Sequence, residues 1–226
     1  MQSEGRLPRL PYRFQDKELL DQALTHRSVG SFNNERLEFL GDGLLNFVIA
    51  AELFRLVPDA EEGDLSRLRA SLVRRETLAG VAAEIELGEA LALGPGEMKS
   101  GGHRRHSILA DALEALVGAV YLDAGFEAAR EMVLGLFSGR LRDLPSLDSL
   151  KDAKTRLQEY LQSRHLPLPE YRLVSEQGPA HRRNFQVSCQ VQGLAEPVDG
   201  EGRSLRKAEQ AAAGEALALL EGGADD

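Results

Sequence analysis

The chain of 226 residues has no tryptophan, a single cysteine and only 5% aromatic residues. The lack of tryptophan excludes nothing. The lone Cys189 excludes an intrachain disulfide and a cysteine-based metal site, and it suits a reducing cytoplasm. No apolar run approaches the length of a membrane span. The first residues, MQSEGRLPRLPYRF, lack the apolar centre of a secretion signal. Positive charge is also short: 27 Lys/Arg against 36 Asp/Glu leave −9, which at first sight argues against nucleic acid as a partner. The shortage is uneven, however. Between Lys151 and Gln210 ten Lys/Arg face eight Asp/Glu, a net of +2 that leaves −11 for the rest. An acidic body with a locally basic segment is compatible with a metal site plus a phosphate-binding surface. No internal repeat is present.

The stretch around which the chain is organised is Asn33 to Ala50, NNERLEFLGDGLLNFVIA. Its pattern predicts a helix running on through AELFRLV to Pro58. Glu35, Glu38 and Asp42 stand at i, i+3 and i+7, within about a 60° arc of one face. Leu37, Leu40, Leu44, Phe47 and Val48 are expected to form the core face. Stacked carboxylates about 4 Å apart repel by roughly 4 kcal/mol per pair at an effective dielectric near 20. Basic side chains, bound cations or raised pKa values must offset this. Oxygen-only ligands favour Mg²⁺ over zinc, although the same spacing also fits a solvated acidic face. Gly41 and Gly43 each cost roughly 1 kcal/mol inside a helix and suggest a close approach to the backbone. Phe39 projects from the acidic side, which fits either a partner surface or a ring tucked under a neighbouring loop.

Before this stretch, Asp16 to Ser28 reads as a helix with Leu19, Leu20, Ala23 and Leu24 inward. After it, Asp64 is expected to cap a further helix, DLSRLRASLVRRETLAGVAAEIEL, in which Arg67, Arg69, Arg74 and Arg75 interrupt the apolar pattern. Leu93 to His106, LGPGEMKSGGHRRH, combines four glycines with Lys99, Arg104 and Arg105. Such a loop can bring amides and cations to phosphate; it can equally be a plain connector, and it matches no named phosphate-loop pattern. Ser107 is expected to cap SILADALEALVGAVYLDAG, where Asp111 and Glu114 stand at i, i+3 between apolar flanks. A buried carboxylate pair must be compensated, and the natural partner is the cation that the first acidic stripe also wants. Phe126 to Leu144 gives one more amphipathic helix.

A short Pro/Ser linker, Leu144 to Ser149, separates this all-helical part from an α-β-β-β-α pattern. Ala153 to Arg164 is expected as a helix with Leu157, Tyr160 and Leu161 inward, leaving Thr155, Gln158, Glu159 and Gln162 as a polar stripe. Strands are expected at Glu170 to Ser175, Asn184 to Gln192 and about Ala195 to Glu201. QGPAHR, Gln177 to Arg182, turns between the first two. Ser204 to Leu220 closes as an Ala-rich helix with Arg206 and Lys207 in its first turn. Only the tail after Glu221 has a disordered composition.

These blocks together resemble bacterial ribonuclease III along nearly the whole length. NERLEFLGD, Asn34 to Asp42, is similar to that family's signature, as are EGDLSRLRA, GPGEMKSGG and SILADALEAL. TRLQEYLQ, GPAH at Gly178 to His181, and RKAEQAAA resemble its double-stranded-RNA-binding domain. The resemblance implies an endonuclease domain over residues 1–146, a linker at 147–151, a binding domain over 152–222 and a tail at 223–226. Glu38, Asp42, Asp111 and Glu114 fall on the family's Mg²⁺ ligands, with Mn²⁺ expected to substitute, and Glu35 and Glu62 on auxiliary acidic positions. The implied chemistry is two-metal phosphodiester hydrolysis: one cation lowers the pKa of the attacking water and the other stabilises the leaving 3′ oxygen. No side-chain nucleophile is then required, and no small-molecule cofactor is expected. The products would carry 5′-phosphate and 3′-hydroxyl ends with a short 3′ overhang.

The family resemblance further implies a cytoplasmic homodimer, with Phe39 plugging into its partner, acting on ribosomal RNA precursors and other structured transcripts. Duplex RNA is read through 2′-hydroxyls and phosphates across its minor grooves. Thr155, Gln158, Glu159, Gln162 and His181 match the groove-contacting positions, and Arg206 and Lys207 the phosphate contacts between. One departure stands out: Leu205 occupies a position where a basic residue is usual. Two other readings remain alongside, a catalytically silent dimer that binds duplex RNA and a helical scaffold unrelated to RNA.

Overall fold

A computed structural model describes residue 7 and residues 9–179 and 182–222. The chain divides into two units after Pro145.

The first unit is helical, in the order α1 (Lys17–Ala23), α2 (Glu35–Leu56), α3 (Glu62–Val73), α4 (Arg75–Glu84), α5 (Leu87–Ala90), α6 (Pro95–Lys99), a 3₁₀ turn (Gly102–Arg104) and α7 (His106–Arg142). Its core gathers Leu24, Leu45, Ile49, Leu53, Leu113, Leu116, Met132 and Phe137, all fully buried. The organising contact is α2 against α7. A Cβ at Gly41 would collide with the carbonyl of Glu114, and one at Gly118 with the carbonyl of Leu37. Two glycines therefore let two helix backbones touch. The expectation of a close approach holds at Gly41 and fails at Gly43, which has nothing within 4 Å of a built Cβ.

The buried arc of α2 comprises Leu37, Gly41, Leu45, Val48, Ile49 and Leu53. It is turned toward Glu38 relative to the expected core. Phe47 is consequently 60% exposed and packs on Phe126 at 5.9 Å between ring centroids, while Leu40 and Leu44 are only half-buried.

Other boundaries also moved. α1 stops at Ala23 because the following backbone is taken by a bridge to Ala92: the amide of Ala92 donates to Leu24 and that of His26 to Ala92. Asp64 does not cap α3, which begins at Glu62; its carboxylate binds Arg67 at 2.6 Å. The single helix expected through residue 87 breaks at Arg74, whose ψ of 151° is extended. Arg105, not Ser107, caps α7. The break expected between two helices at Gly125 is present, by contrast: its backbone (φ 83°, ψ −174°) is not helical and divides α7 into two stretches. Just before the kink, Asp123 accepts hydrogen bonds from the Tyr12 hydroxyl (2.6 Å) and from the amides of Gln15 and Asp16 (both 2.8 Å), tying the segment ahead of α1 to α7.

The second unit runs α8 (Leu147–Leu150), α9 (Ala153–Ser163), β1 (Glu170–Gln177), β2 (Asn184–Gln190), β3 (Val198–Gly202) and α10 (Leu205–Gly222). Part of the expected linker is thus the single turn α8. The strands form an antiparallel sheet in the order β1-β2-β3, with a register shift between Leu173 and Ser175. β1 is longer than expected and β3 starts at Val198 rather than near Ala195. Both helices supply one core with the sheet: Leu157 and Leu161 from α9, Cys189 from β2, and Ala212, Ala213, Ala216 and Leu217 from α10. Gly200 and Gly202 permit this packing, since a Cβ at either would strike the backbone of α10 around Ala208. The tail at 223–226 lies outside the described residues. Among the described residues no helix is long and apolar enough to cross a membrane.

Candidate active site

The start of α2 is fixed by two asparagines. Asn34 is 3% exposed; its amide donates to Thr25 (2.9 Å) and its side chain to the carbonyl of Ala23 (3.4 Å). The Asn33 side chain accepts from the amide of Glu35 at 3.1 Å, which serves one of the free donors of the first turn. Glu35 and Glu38 follow in that turn, where the helix dipole favours negative charge.

The packing of α2 on α7 then brings carboxylates from both helices together. One ligand oxygen each from Glu38, Asp111 and Glu114 lies within 4.8 Å of the others, and all three residues are half-buried. Burial, together with the charges of Asp42, Glu38 and Asp111, pushes Glu114 up to about 8. Burial is also the main cause that raises Glu38 and Asp111; Arg75, His26 and Arg27 act against it at Asp111. Glu114 thereby relieves part of the repulsion among these carboxylates by keeping its proton into the neutral range.

The fourth expected ligand, Asp42, is exposed and lies outside this group of three. Its carboxylate accepts from the Asn46 amide at 2.7 Å, one turn further along α2, though its charge still bears on Glu114. Glu35 pairs with Arg27 at 3.4 Å. Glu62 opens α3 and accepts from the Ser66 hydroxyl at 2.8 Å; it is not part of the carboxylate group. A polar cleft of about 270 Å³ beside the group is lined by Glu35, Glu38 and Asp111 together with His26, Arg27, Glu97 and Arg105.

Beside Glu35 on α2, Phe39 is 84% exposed, so the alternative of a ring tucked under a loop does not hold. An apolar hollow of about 650 Å³ borders it, lined by Leu37, Leu40 and Leu122.

In the second unit, Asp152 caps α9 by accepting from the amide of Thr155 at 2.9 Å. Leu157 and Leu161 turn inward, so Gln158, Glu159 and Gln162 are exposed and Thr155 half-buried. Glu159 binds Lys151 at 2.7 Å. Gly178 takes a φ of 92°, and the following Pro179 carbonyl accepts from Arg182 at 2.7 Å. His181 lies outside the described residues. Arg206 and Lys207 stand exposed in the first turn of α10, where the Ser204 hydroxyl accepts from the amide of Lys207 at 3.3 Å.

Residues 16–140 match the family described as ribonuclease-III-like. The chain belongs to the ribonuclease III family. Ribonucleases III are hydrolases, and the chain is accordingly a double-strand-specific endoribonuclease. Nucleases of this family are metal-dependent, and the acidic group described above is able to hold a metal. Residues 153–220 match the double-stranded RNA binding motif. Two solved structures of the nuclease domain of ribonuclease III from Campylobacter jejuni are similar to the first part of the chain. One is 46% identical with a TM-score of 0.59, and the match covers 60% of this chain and 96% of that one; its description concerns structural flexibility in a region involved in dimer formation. The other is 44% identical with a TM-score of 0.59, covering 65% and 99%.

In this ribonuclease III site, His26, Arg27 and Glu97 at the cleft and the effect of Arg75 on Asp111 and Glu114 are features that helical spacing does not reveal. His26 and Arg27 had a local signal, because they sit where the apolar pattern of α1 stops. Arg75 and Glu97 had only an indirect one, as an interruption of an apolar pattern and as part of the GPGEMKSGG block; what each faces depends on the break at Arg74 and on the fold of the loop.

Proposed function

We propose that this ribonuclease III family chain cuts duplex RNA by Mg²⁺-dependent hydrolysis, leaving 5′-phosphate and 3′-hydroxyl ends with a short 3′ overhang. The observation that carries this reading is the meeting of Glu38, Asp111 and Glu114 across two helices whose backbones touch. An all-oxygen donor set this close fits a hard divalent cation and offers nothing to a thiophilic one. Glu38, Asp111 and Glu114 would hold it, with Asp42 beside them. When bound, Mg²⁺ supplies an activated water and neutralises charge at the phosphate.

The chain's own residues do the rest. Glu114, whose proton is held by burial and by its acidic neighbours, would release that proton to solvent in order to serve as a ligand. Helix packing keeps the carboxylates in register, and partial burial limits competing water. Glu35 and Glu62 act as auxiliary acidic groups near the cleavage site. The second unit supplies the grip: Thr155, Gln158, Glu159, Gln162 and His181 at the minor grooves, and Arg206 and Lys207 on the phosphates between them.

The working unit is a homodimer. Phe39 and the hollow beside it lie on one surface, and a two-fold contact lets each ring enter the other subunit's hollow. The dimer-forming region described for the Campylobacter jejuni domain supports this. Each subunit then cuts one strand. The substrates are ribosomal RNA precursors and other structured transcripts, including messenger and transfer RNA precursors, in the cytoplasm.

The test is cleavage of a perfect RNA duplex with and without Mg²⁺, wild type beside Glu114→Ala, with binding followed in Ca²⁺. Cleavage that needs Mg²⁺ and is lost in a variant that still binds supports the reading. Equal binding with no cleavage by either protein under any divalent metal replaces it with a silent RNA-binding dimer.

A further inference from the structure

In the second unit α9 and α10 open and close the fold, far apart in the chain. Their N-terminal ends are nevertheless joined. Lys154 Nζ donates to Glu209 Oε2 at 2.7 Å. The same ammonium sits over the Tyr171 ring, 4.2 Å from its centroid. The backbone amide of Lys154, a free donor of the first turn of α9, donates to Gln210 Oε1 at 3.2 Å. Gln210 also donates to Asp152, the cap of α9. Close by, a Cβ at Gly214 would lie 3.6 Å from that of Ala153, an ordinary van der Waals contact. Glu209 and Gln210 of α10 therefore hold the first turn of α9 by its side chain, its amide and its cap.

An ammonium beside an RNA-binding surface either meets phosphate itself or fixes the groups that do. The Lys154 side chain is 33% exposed and that of Glu209 22%, so both are largely withdrawn from solvent. An ion pair placed this way is screened less than one on the open surface. Glu209 also follows Arg206 and Lys207 within one turn of α10, where a bare carboxylate would oppose phosphate. Lys154 cancels that charge. The Asp152 carboxyl is held below its ordinary value, first by the amide of Thr155, with Gln210 and Arg206 adding to it. Arg206 of α10 is thus felt at the start of α9.

We infer that Lys154, Glu209 and Gln210 are positioning residues for duplex RNA: they lock the polar stripe of α9 and the basic first turn of α10 into one platform, and Lys154 is not itself a phosphate contact. This rests on the proposed assignment of the α9 stripe to the minor groove and of Arg206 and Lys207 to phosphate. A duplex offers groove and backbone at a fixed separation. Two helices already held at the matching separation lose less freedom when they bind. The platform serves bound substrate as much as the transition state, so its loss falls on KM.

The experiment uses the full chain and a perfect RNA duplex. Lys154→Met, Glu209→Gln, Gln210→Ala, the Lys154→Met/Glu209→Gln double variant and Arg206→Ala are compared well below their melting temperatures. Affinity and its salt dependence are read in Ca²⁺, kcat and KM in Mg²⁺. Glu209→Gln separates the two roles of Lys154. It removes a negative charge beside the phosphate contacts and frees the ammonium, which by charge alone tightens binding and steepens the salt slope. A positioning role gives the reverse: affinity about fivefold weaker, a log–log slope flatter by about one unit, and KM raised with kcat within about twofold. Lys154→Met should do the same, and the double variant should be no worse than the more damaging single one. Gln210→Ala, which leaves both charges in place, should act in the same direction by less.

Tighter binding by Glu209→Gln with a steeper slope would make Lys154 a masked phosphate contact and overturn the inference. Multiplying losses in the double variant would also overturn it. So would weaker binding with unaltered slopes, the mark of a merely structural pair. If Lys154→Met melts early, Glu209→Gln and Gln210→Ala still decide. Arg206→Ala with a wild-type slope defeats the assignment of α10 to phosphate, and the platform with it. A flattened slope in Arg206→Ala beside an unaffected Glu209→Gln defeats the platform alone. A wild type that binds duplex and never cuts defeats the cleavage reading, while the binding results in Ca²⁺ still judge the three positioning residues.

Discussion

Gly41 of α2 lies against the main-chain carbonyl of Glu114 on α7, one of the three carboxylates of the site. The obstacle to a side chain there is backbone, which cannot swing away. Gly41→Ala is therefore expected to destabilise the protein by about 2–4 kcal/mol and to abolish cleavage by separating Glu38 from Asp111 and Glu114. Gly43→Ala, two residues away with open space around it, should raise the melting temperature through helix propensity. Melting curves and cleavage rates of the two variants, side by side, check the contrast; equal damage from both would refute it.

Glu114 makes metal-free stability depend on pH. Its folded pKa of about 8 lies above the ordinary 4.5, so the bound proton favours the folded state. That contribution is complete below about pH 4.5 and is lost as pH rises through about 8. Glu114→Gln keeps the shape and removes the ionisation. At about pH 9 and without metal it should melt roughly 3 °C above wild type, ~1 kcal/mol after discounting for solvent screening of a partly accessible group. Near pH 4.5 the difference should vanish. Mg²⁺ should raise the midpoint of wild type far more than that of the variant, a result readable by calorimetry.

Phe39 carries a large apolar surface with no cover on its own chain, at 84% exposure. Phe39→Asp should convert dimer to monomer in sedimentation and lower double-strand cleavage at least tenfold, while leaving the melting of the monomer nearly unchanged. A sedimentation profile identical to wild type would remove Phe39 from the interface.

Leu205 opens α10 with 44% of its surface exposed, immediately before Arg206 and Lys207. Leu205→Arg should add one phosphate contact at that helix end and steepen the log–log salt dependence of duplex binding by about one unit. An unaltered slope would put the position out of reach of RNA.

Much of this arrangement was legible in the residues, and the exceptions have physical causes. Glu38, Asp111 and Glu114 could be found because helical spacing puts each on a definable face, and because the flanks of Asp111 and Glu114 are too apolar for solvent. Asp42 was equally visible on its stripe, yet its side chain turns to Asn46 one turn away, a local choice that spacing does not encode. Phe47 was misread because an acidic stripe suggests water on that side; here Glu38 of that stripe faces Asp111 and Glu114 of α7, and the core arc rotates toward it. The break at Gly125 was legible, since a glycine ends one helical pattern and Phe126 opens the next; the break at Arg74 was not, because the apolar period continues through it although the backbone does not. The place of Glu97 at the cleft was not legible either, since it depends on how the loop between it and Arg105 folds back.

Cys189 is fully buried in the core of the second unit, and burial pushes its thiol up from the ordinary value. The chain's one native sulfhydryl is therefore chemically silent in the folded state. Any cysteine introduced on the surface becomes its sole reactive thiol. A fluorophore or spin probe can then be attached to either unit without first removing Cys189, and reaction of Cys189 itself with a thiol reagent becomes a clock for opening of the second unit.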